Sequence, residues 1–307
     1  MKPHRKKILV IGSSNTDMVV KTSGFPSPGQ TVLGGDFFMF PGGKGANQAV
    51  AAARLGGDVT FVCKLGMDIF GDAALEGFKK EGIDCRYIIR DPVAPTGVAL
   101  ITINESGQNT IVVAPGANAA LSVDDINRSR QAIDETDILL LQLEIPMETV
   151  EYAIRMAYEA GKIVVLNPAP AAPLPDHIWH QLFLFTPNES EASLYAGIPL
   201  EEETDAQLAA QALLNKGVEN LLLTLGKNGA LLVNRDMIFR IPAFKVKAKD
   251  TTAAGDVFNG ALCVALSEEL DFTEAMEFAS RAAAISVTRM GAQSSAPTRS
   301  EVMSFKP

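Results

Sequence analysis

Short apolar runs alternating with stretches of helical length set the tightest limit on what this chain can fold into. Runs at 8–11, 59–64, 85–89, 138–143, 162–166, 183–185 and 221–224 read as strands buried on both faces. Between and after them, 49–55, 73–81, 123–133, 148–160, a stretch from Glu189, one running through 266 and 278–287 read as helices. Parallel strands need crossovers, and helices are the usual crossovers. The alternation therefore predicts an α/β fold with a mostly parallel sheet and helices on both faces. With 307 residues, 47% of them hydrophobic, the chain can bury one large domain over 1–307.

Two segments break the alternation. From Met18 to Phe40 the pattern is short and β-like, interrupted by Gly24, Pro26, Pro28 and Gly29, with no helix between strands. A second run, 96–103, leads through a polar turn at 104–108 into 109–113 and reads as a β-hairpin. The excursions over 15–42 and 96–115 predict one small sheet beside the main domain, placed to act as a lid.

Ligands in open α/β sheets sit outside the carboxyl ends of strands, so polar clusters there are the candidates. Asn15 and Asp17 follow the first strand and can hydrogen-bond sugar hydroxyls or close an Asx-type turn. Glu144 follows another strand, as a hydroxyl acceptor or a solvated charge. The glycine-rich run at 41–48 carries Gly43, Lys44, Gly45, Ala46 and Asn47. It admits close backbone approach and offers the Asn47 amide to a hydroxyl, but it has neither the P-loop nor the dinucleotide-loop spacing. A plain strand-to-helix turn fits it equally.

At 249–260 an extended segment runs into a helix. Thr251 and Thr252 are placed to cap that helix, and Ala253, Ala254 and Gly255 are small enough for a ligand to reach their backbone. Such a helix start is an anion site. An Asp there, Asp256, makes most sense as the acceptor of a proton from an attacking hydroxyl. The alternative is a carboxylate stabilising a helix N-terminus, worth ~0.3–1 kcal/mol. Asn188 and Glu191 fit a capping box, or a hold on a hydrated Mg²⁺. The turn after Thr224 reads as a hairpin or as a surface for a nucleotide.

A net charge of −9 argues against nucleic-acid and anionic-membrane partners. Cys63, Cys85 and Cys263 are too scattered for a disulfide framework or thiolate metal site, which points to a reducing cytoplasmic compartment. His4, His177 and His180 have no metal-ligand spacing. Lys2, Arg5, Lys6 and Lys7 precede only a short apolar run, a first strand rather than a signal peptide, and no stretch approaches ~18 apolar residues.

Taken in order, the glycine run ending at Asn47, the pair Asn188 and Glu191, the turn at Thr224 and Gly226, and the run from Asp250 to Asp256 resemble the ribokinase family of sugar and nucleoside kinases. The likeness runs from Ile8 to about Pro297. Asn15, Thr16 and Asp17, the glycine run, Glu144 and the ending at Gln293 are most similar to members that act on ribose. The resemblance implies ATP-dependent phosphorylation of the ribose 5-hydroxyl, with Asp256 as base and Ala253, Ala254 and Gly255 as the anion hole. It places Asn15, Thr16, Asp17, Gly43, Lys44, Gly45, Ala46, Asn47 and Glu144 around the sugar. Asn188, Thr224, Leu225, Gly226, Lys227, Asn228, Gly229 and Ser280, with Gly255 and Asp256, would hold ATP. Glu191 would orient Mg²⁺ and its waters. Asp250, Thr252, Ser286, Arg289, Gly291 and Ser295 match a monovalent-cation site, usually K⁺. The resemblance also implies a homodimer joined through the lid. A kinase of the same family acting on 2-deoxyribose, fructose or a nucleoside, and a non-catalytic sugar- or nucleotide-binding protein, are the alternatives.

Overall fold

The structure, a computed structural model, describes residues 6–200 and 203–306. Lys2, His4 and Arg5 lie outside the described residues. Fourteen strands are described: β1 (Lys7–Ile11), β2 (Asn15–Thr22), β3 (Phe37–Gly42), β4 (Asp58–Val62), β5 (Lys64–Gly66), β6 (Ile89–Asp91), β7 (Gly97–Asn104), β8 (Asn109–Ala114), β9 (Ile138–Leu141), β10 (Ile163–Leu166), β11 (Leu184–Phe185), β12 (Asn220–Thr224), β13 (Ala230–Val233) and β14 (Ile238–Ile241). The helices are α1 (Lys44–Arg54), α2 (Ile69–Lys80), α3 (Val123–Arg128), α4 (Arg130–Asp134), α5 (Met147–Glu159), α6 (Glu189–Ala196), α7 (Glu203–Leu214), α8 (Ala254–Ser267), α9 (Phe272–Ser286) and α10 (Arg299–Ser304).

The main sheet has eight strands in the order β14-β13-β12-β11-β10-β9-β1-β4. All neighbours from β4 to β12 run parallel, and β13 and β14 are added antiparallel through the glycine turn after Thr224. Side chains alternate across it. Ile8 and Val10 of β1 join a core with α1, α8 and α9, while Leu9 and Ile11 join a second core with α3, α5 and α7. Both faces are covered, which is why these strands are continuous apolar runs.

A second sheet, in the order β3-β2-β7-β8, assembles both excursions. Its central pair, β2 and β7, is parallel and joins segments far apart in sequence. One face carries Met39, Met18, Leu100 and Val112 in a single cross-strand row, and Met39, Leu100 and Val112 are exposed.

Several elements depart from the sequence reading. The strand predicted at 85–89 is a turn, with the Ile88 amide donating to the Cys85 carbonyl, and pairing resumes only at β6. The helix predicted over 123–133 breaks at Ser129, where α3 stops and α4 begins. Helix α1 starts five residues before the predicted 49, so the glycine run supplies its first turn.

Candidate active site

The carboxyl ends of β1 and β9 meet the start of α1. Ser13, just past β1, donates its hydroxyl to Glu144, and its carbonyl accepts the Ala46 amide at 2.8 Å. The Glu144 carboxylate also accepts the Lys44 amide at 2.9 Å. Gly43 makes the entry possible. Its φ is +88°, and a Cβ there would lie 2.7 Å from the Asn15 nitrogen and Ser14 Cα. The amides of Gly45 and Ala46 are therefore spent on Ser13, and the Ala46 side chain is in the core. Those two residues, predicted at the sugar, turn inward and support the loop.

Strand β2 sorts its own residues. Asn15 and Asp17 share one face, so Thr16, predicted with them, points to the other. The buried Asn118 donates to Asn15 Oδ1 at 2.7 Å and accepts the Ser14 amide at 2.9 Å. With its oxygen engaged, Asn15 presents its Nδ2 as a donor.

The 249–260 segment enters α8 through Ala253, a non-glycine residue in the left-handed region with φ 59°. Such a residue stores roughly 1–2 kcal/mol of strain. Thr251 and Thr252 do not cap the helix as predicted. The Thr251 carbonyl accepts the Ala254 amide, and the Thr252 amide donates to Asp250. The helix start carries no side-chain cap, and its first-turn amides border a cavity of about 180 Å³. Lys44, Asn167, Asn188, Glu191, Thr224 and Ala253 to Asp256 line that cavity, so four separate sequence motifs converge on it. A larger, mainly apolar cleft of about 610 Å³ lies elsewhere, around Ile163, Phe183, Met237 and Leu266, and gathers none of these groups.

Asp256 is only 6% exposed. Asn47 Nδ2 donates to one carboxylate oxygen at 2.8 Å and Gln48 Nε2 to the other at 2.9 Å. Around it sit Lys44, Asp17, Glu144 and Glu191. Asp256, then Glu144, Glu191 and Asp17, hold the Lys44 ammonium above its ordinary pKa against the opposing effect of burial. Asp17 is pushed up to about 6 by burial first, then by Glu144 and Asp256, with Lys44 opposing. Burial raises Glu191 as well, against the Asn188 amide. Carboxylates outnumber the ammonium here, so a polyphosphate would need added cations.

Glu191 accepts the Asn188 amide at 2.8 Å while Asn188 Oδ1 accepts the Glu191 amide at 2.9 Å. This capping box also walls the cavity, so capping does not remove Glu191 from it. A lone carboxylate suits Mg²⁺, which keeps several waters and takes phosphate oxygens. Among the described residues no group of three or more His, Cys, Asp or Glu could hold a metal.

A β-bridge sets Thr224 beside Asn188. Beyond it Gly226–Asn228 form a short 3-10 turn with Lys227 and Asn228 exposed, and Gly229 closes it. The Leu225 side chain is buried in the core, and its backbone closes the turn, the amide donating to the Gly229 carbonyl and the carbonyl accepting the Asn228 amide at 2.8 Å each. Ser280, on α9, is half-buried and does not line the cavity. Asp250 ties two loops together, accepting amides from Thr252 and Gly291 at 2.9 Å each. The Ser286 and Ser295 hydroxyls donate to nearby backbone carbonyls, and Arg289 pairs with Glu301, whose carboxyl it helps pull down to about 2. Asp250 offers carboxylate oxygens, hard donors of the kind K⁺ takes, while the side chains of Ser286, Ser295 and Arg289 are otherwise engaged.

Ser13, Gln48, Asn118 and Asn167 are site residues that the sequence reading did not select. Ser13 lies in the polar cluster after the first strand, Gln48 ends the glycine run and Asn167 follows a core strand, whereas Asn118 stands only as a polar residue among small ones.

The model of the pfkB family of carbohydrate kinases matches residues 5–299. A ribokinase of Haemophilus influenzae is 44% identical over 301 residues, covering 98% of each chain. A deoxyribokinase of Salmonella typhi is 39% identical over 292 residues, covering 95% of each chain. The crystal structure of a Thermotoga maritima ribokinase superposes with a TM-score of 0.89 at 45% identity, covering 97% of this chain and 98% of that one. That of an Arabidopsis thaliana ribokinase complexed with ribose and ATP gives 0.93 at 30% identity, covering 99% and 100%.

Proposed function

The chain belongs to the pfkB family of carbohydrate kinases, and on that premise we propose that it transfers the γ-phosphoryl group of ATP to the 5-hydroxyl of D-ribose. The observation that carries the reading is Asp256. It is buried in the first turn of α8, between the hydroxyl-binding groups Asn15, Asp17, Asn47 and Glu144 and a cavity walled by Lys44, Asn188, Glu191 and Thr224. In this reading Asp256 takes the proton of the sugar hydroxyl as its oxygen attacks the γ-phosphorus, and the bond to the β-phosphate oxygen breaks to release ADP. The first-turn amides and Lys44 meet the charge on the transferring group in a nearly dry site.

Asn188, the backbone after Thr224 and the Gly226 turn hold the nucleotide. Glu191 would hold Mg²⁺, and Asp250 with the loops it joins would hold a monovalent cation; when bound, the two ions would supply the positive charge that a carboxylate-rich site lacks toward phosphate. The sheet of β2, β3, β7 and β8 covers the sugar as a lid, and two lids pair in a homodimer. A deoxyribokinase relative at 39% identity supports a second reading, in which 2-deoxyribose is the substrate. Asp256→Asn is expected to lower kcat by at least ~10²-fold, with ribose affinity within about twofold of wild type by calorimetry. Near-normal turnover in that variant would remove Asp256 from the chemistry.

A further inference from the structure

Behind Asp256 runs a file of buried amides, of which only Asn167 also lines the cavity. Gln142 Nε2 donates to Gln48 Oε1 at 2.6 Å, and Gln48 Nε2 donates both to Asp256 Oδ1 at 2.9 Å and to Asn167 Oδ1 at 3.0 Å. Asn167 Nδ2 ends the file on the Thr186 carbonyl at 3.0 Å. Gln48 and Gln142 have no exposed surface and Asn167 is 7% exposed.

Chemistry fixes the direction of this file. The Thr186 carbonyl only accepts, so Asn167 must turn its nitrogen to it and its oxygen to Gln48. Gln48 then meets two acceptors, that oxygen and an Asp256 carboxylate oxygen, and both protons of its amide are used. Its own oxygen needs a donor, which Gln142 supplies. A flipped Gln48 would set an oxygen against the Asp256 carboxylate. The arrangement has a cost elsewhere: Gln142 Oε1 is buried without a partner among the described residues.

We propose that Gln48 is a positioning residue for Asp256, holding one carboxylate oxygen while Asn47 holds the other, and that Gln142 locks the Gln48 amide in the donating sense. Two neutral donors, one on each oxygen, fix the rotation of the carboxylate without placing a counter-charge on the base. The remaining lone pairs stay aimed at the hydroxyl. The inference rests on the reading of Asp256 as the base.

The test is a double-mutant cycle on kcat with ribose affinity read separately. Gln48→Met keeps the length of the side chain and removes the donor. It is expected to lower kcat about ten- to hundredfold, the worth of one hydrogen bond to a charged group, with ribose Kd by calorimetry unchanged; Tm falls because Gln142 Nε2 and Asn167 Oδ1 lose their partner, so rates are read well below the Tm of the variant. Gln142→Met is expected to lower kcat less, and to add nothing to Gln48→Met, because it acts only through that amide. In the Asp256→Asn background Gln48→Met is expected to have no further effect. Unchanged kcat in Gln48→Met overturns the inference. So does a loss that comes with a matching fall in ribose affinity, or one that persists undiminished in the Asp256→Asn background. If Gln48→Met does not fold, Gln142→Met decides by the same readings. Should Asp256→Asn itself turn over normally, it is the function reading that fails.

Discussion

Asp17 carries a carboxyl raised to about 6, because it is buried beside Glu144 and Asp256 with only Lys44 to offset them. A sugar hydroxyl donates to the ionised form, so ribose binding is expected to weaken as pH falls below about 6, by up to tenfold per pH unit. Calorimetry of ribose between pH 5 and 8 checks this, and Asp17→Asn should flatten the profile. The fold has the opposite preference. A pKa raised above the unfolded value of 3.8 means that the stability linked to this proton is complete below 3.8 and is lost as pH rises through about 6. At this scale the sequence was legible where chemistry-bearing residues sit together, as around Asn47 or Asp256. It was illegible where a role depends on distant contacts: Ser13 with Glu144 spans 131 positions, Ser14 with Asn118 spans 104, and Gln142 with Gln48 spans 94. The capping assigned to Thr251 and Thr252 failed because the chain enters α8 through a left-handed alanine, which residue type does not announce.

Helices α1 and α8 must touch for Gln48 and Asn47 to reach Asp256, and Gly260 lets them. A Cβ on Gly260 would stand 2.7 Å from the Gln48 carbonyl oxygen, 2.9 Å from Ala51 Cβ and 3.0 Å from the Ala52 nitrogen. Two of those atoms are backbone, so the helices would have to separate. Gly260→Ala is accordingly expected to cost ~1–3 kcal/mol through overpacking, seen as a fall of several degrees in Tm, and to lower kcat by drawing Gln48 off the carboxylate. Calorimetric scanning with steady-state rates checks both; an unchanged Tm would mean that the crossing is looser than these distances. The strands of the parallel sheet were legible as elements because burial on both faces makes them uniformly apolar, whereas 85–88 has the composition of a strand but turns, and only from Ile89 does the chain pair, with β5. The glycine run was read as a loop because glycine is a poor helix former. Capping of its amides by Ser13 and Glu144 overrides that propensity.

For the whole molecule, the row of Met39, Leu100 and Val112 leaves one face of the small sheet apolar and exposed. Such a face on a sheet with an open edge strand suits pairing with a second copy. Leu100→Lys is expected to convert a dimer to a monomer in sedimentation at fixed concentration; an unchanged sedimentation coefficient would place the interface elsewhere or show that there is none. The alternation of strands and helices made the main domain legible, while the parallel joining of β2 to β7 could only be inferred from two irregular segments, since no local pattern encodes a pairing across so much chain. Phosphoryl transfer to ribose is measured as ADP release from the purified protein with MgATP and KCl, offered in parallel ribose, 2-deoxyribose, fructose, adenosine, uridine and no sugar. The highest kcat/KM is expected for ribose. A clear preference for any other acceptor, or no turnover above the sugar-free control with all five, would contradict it.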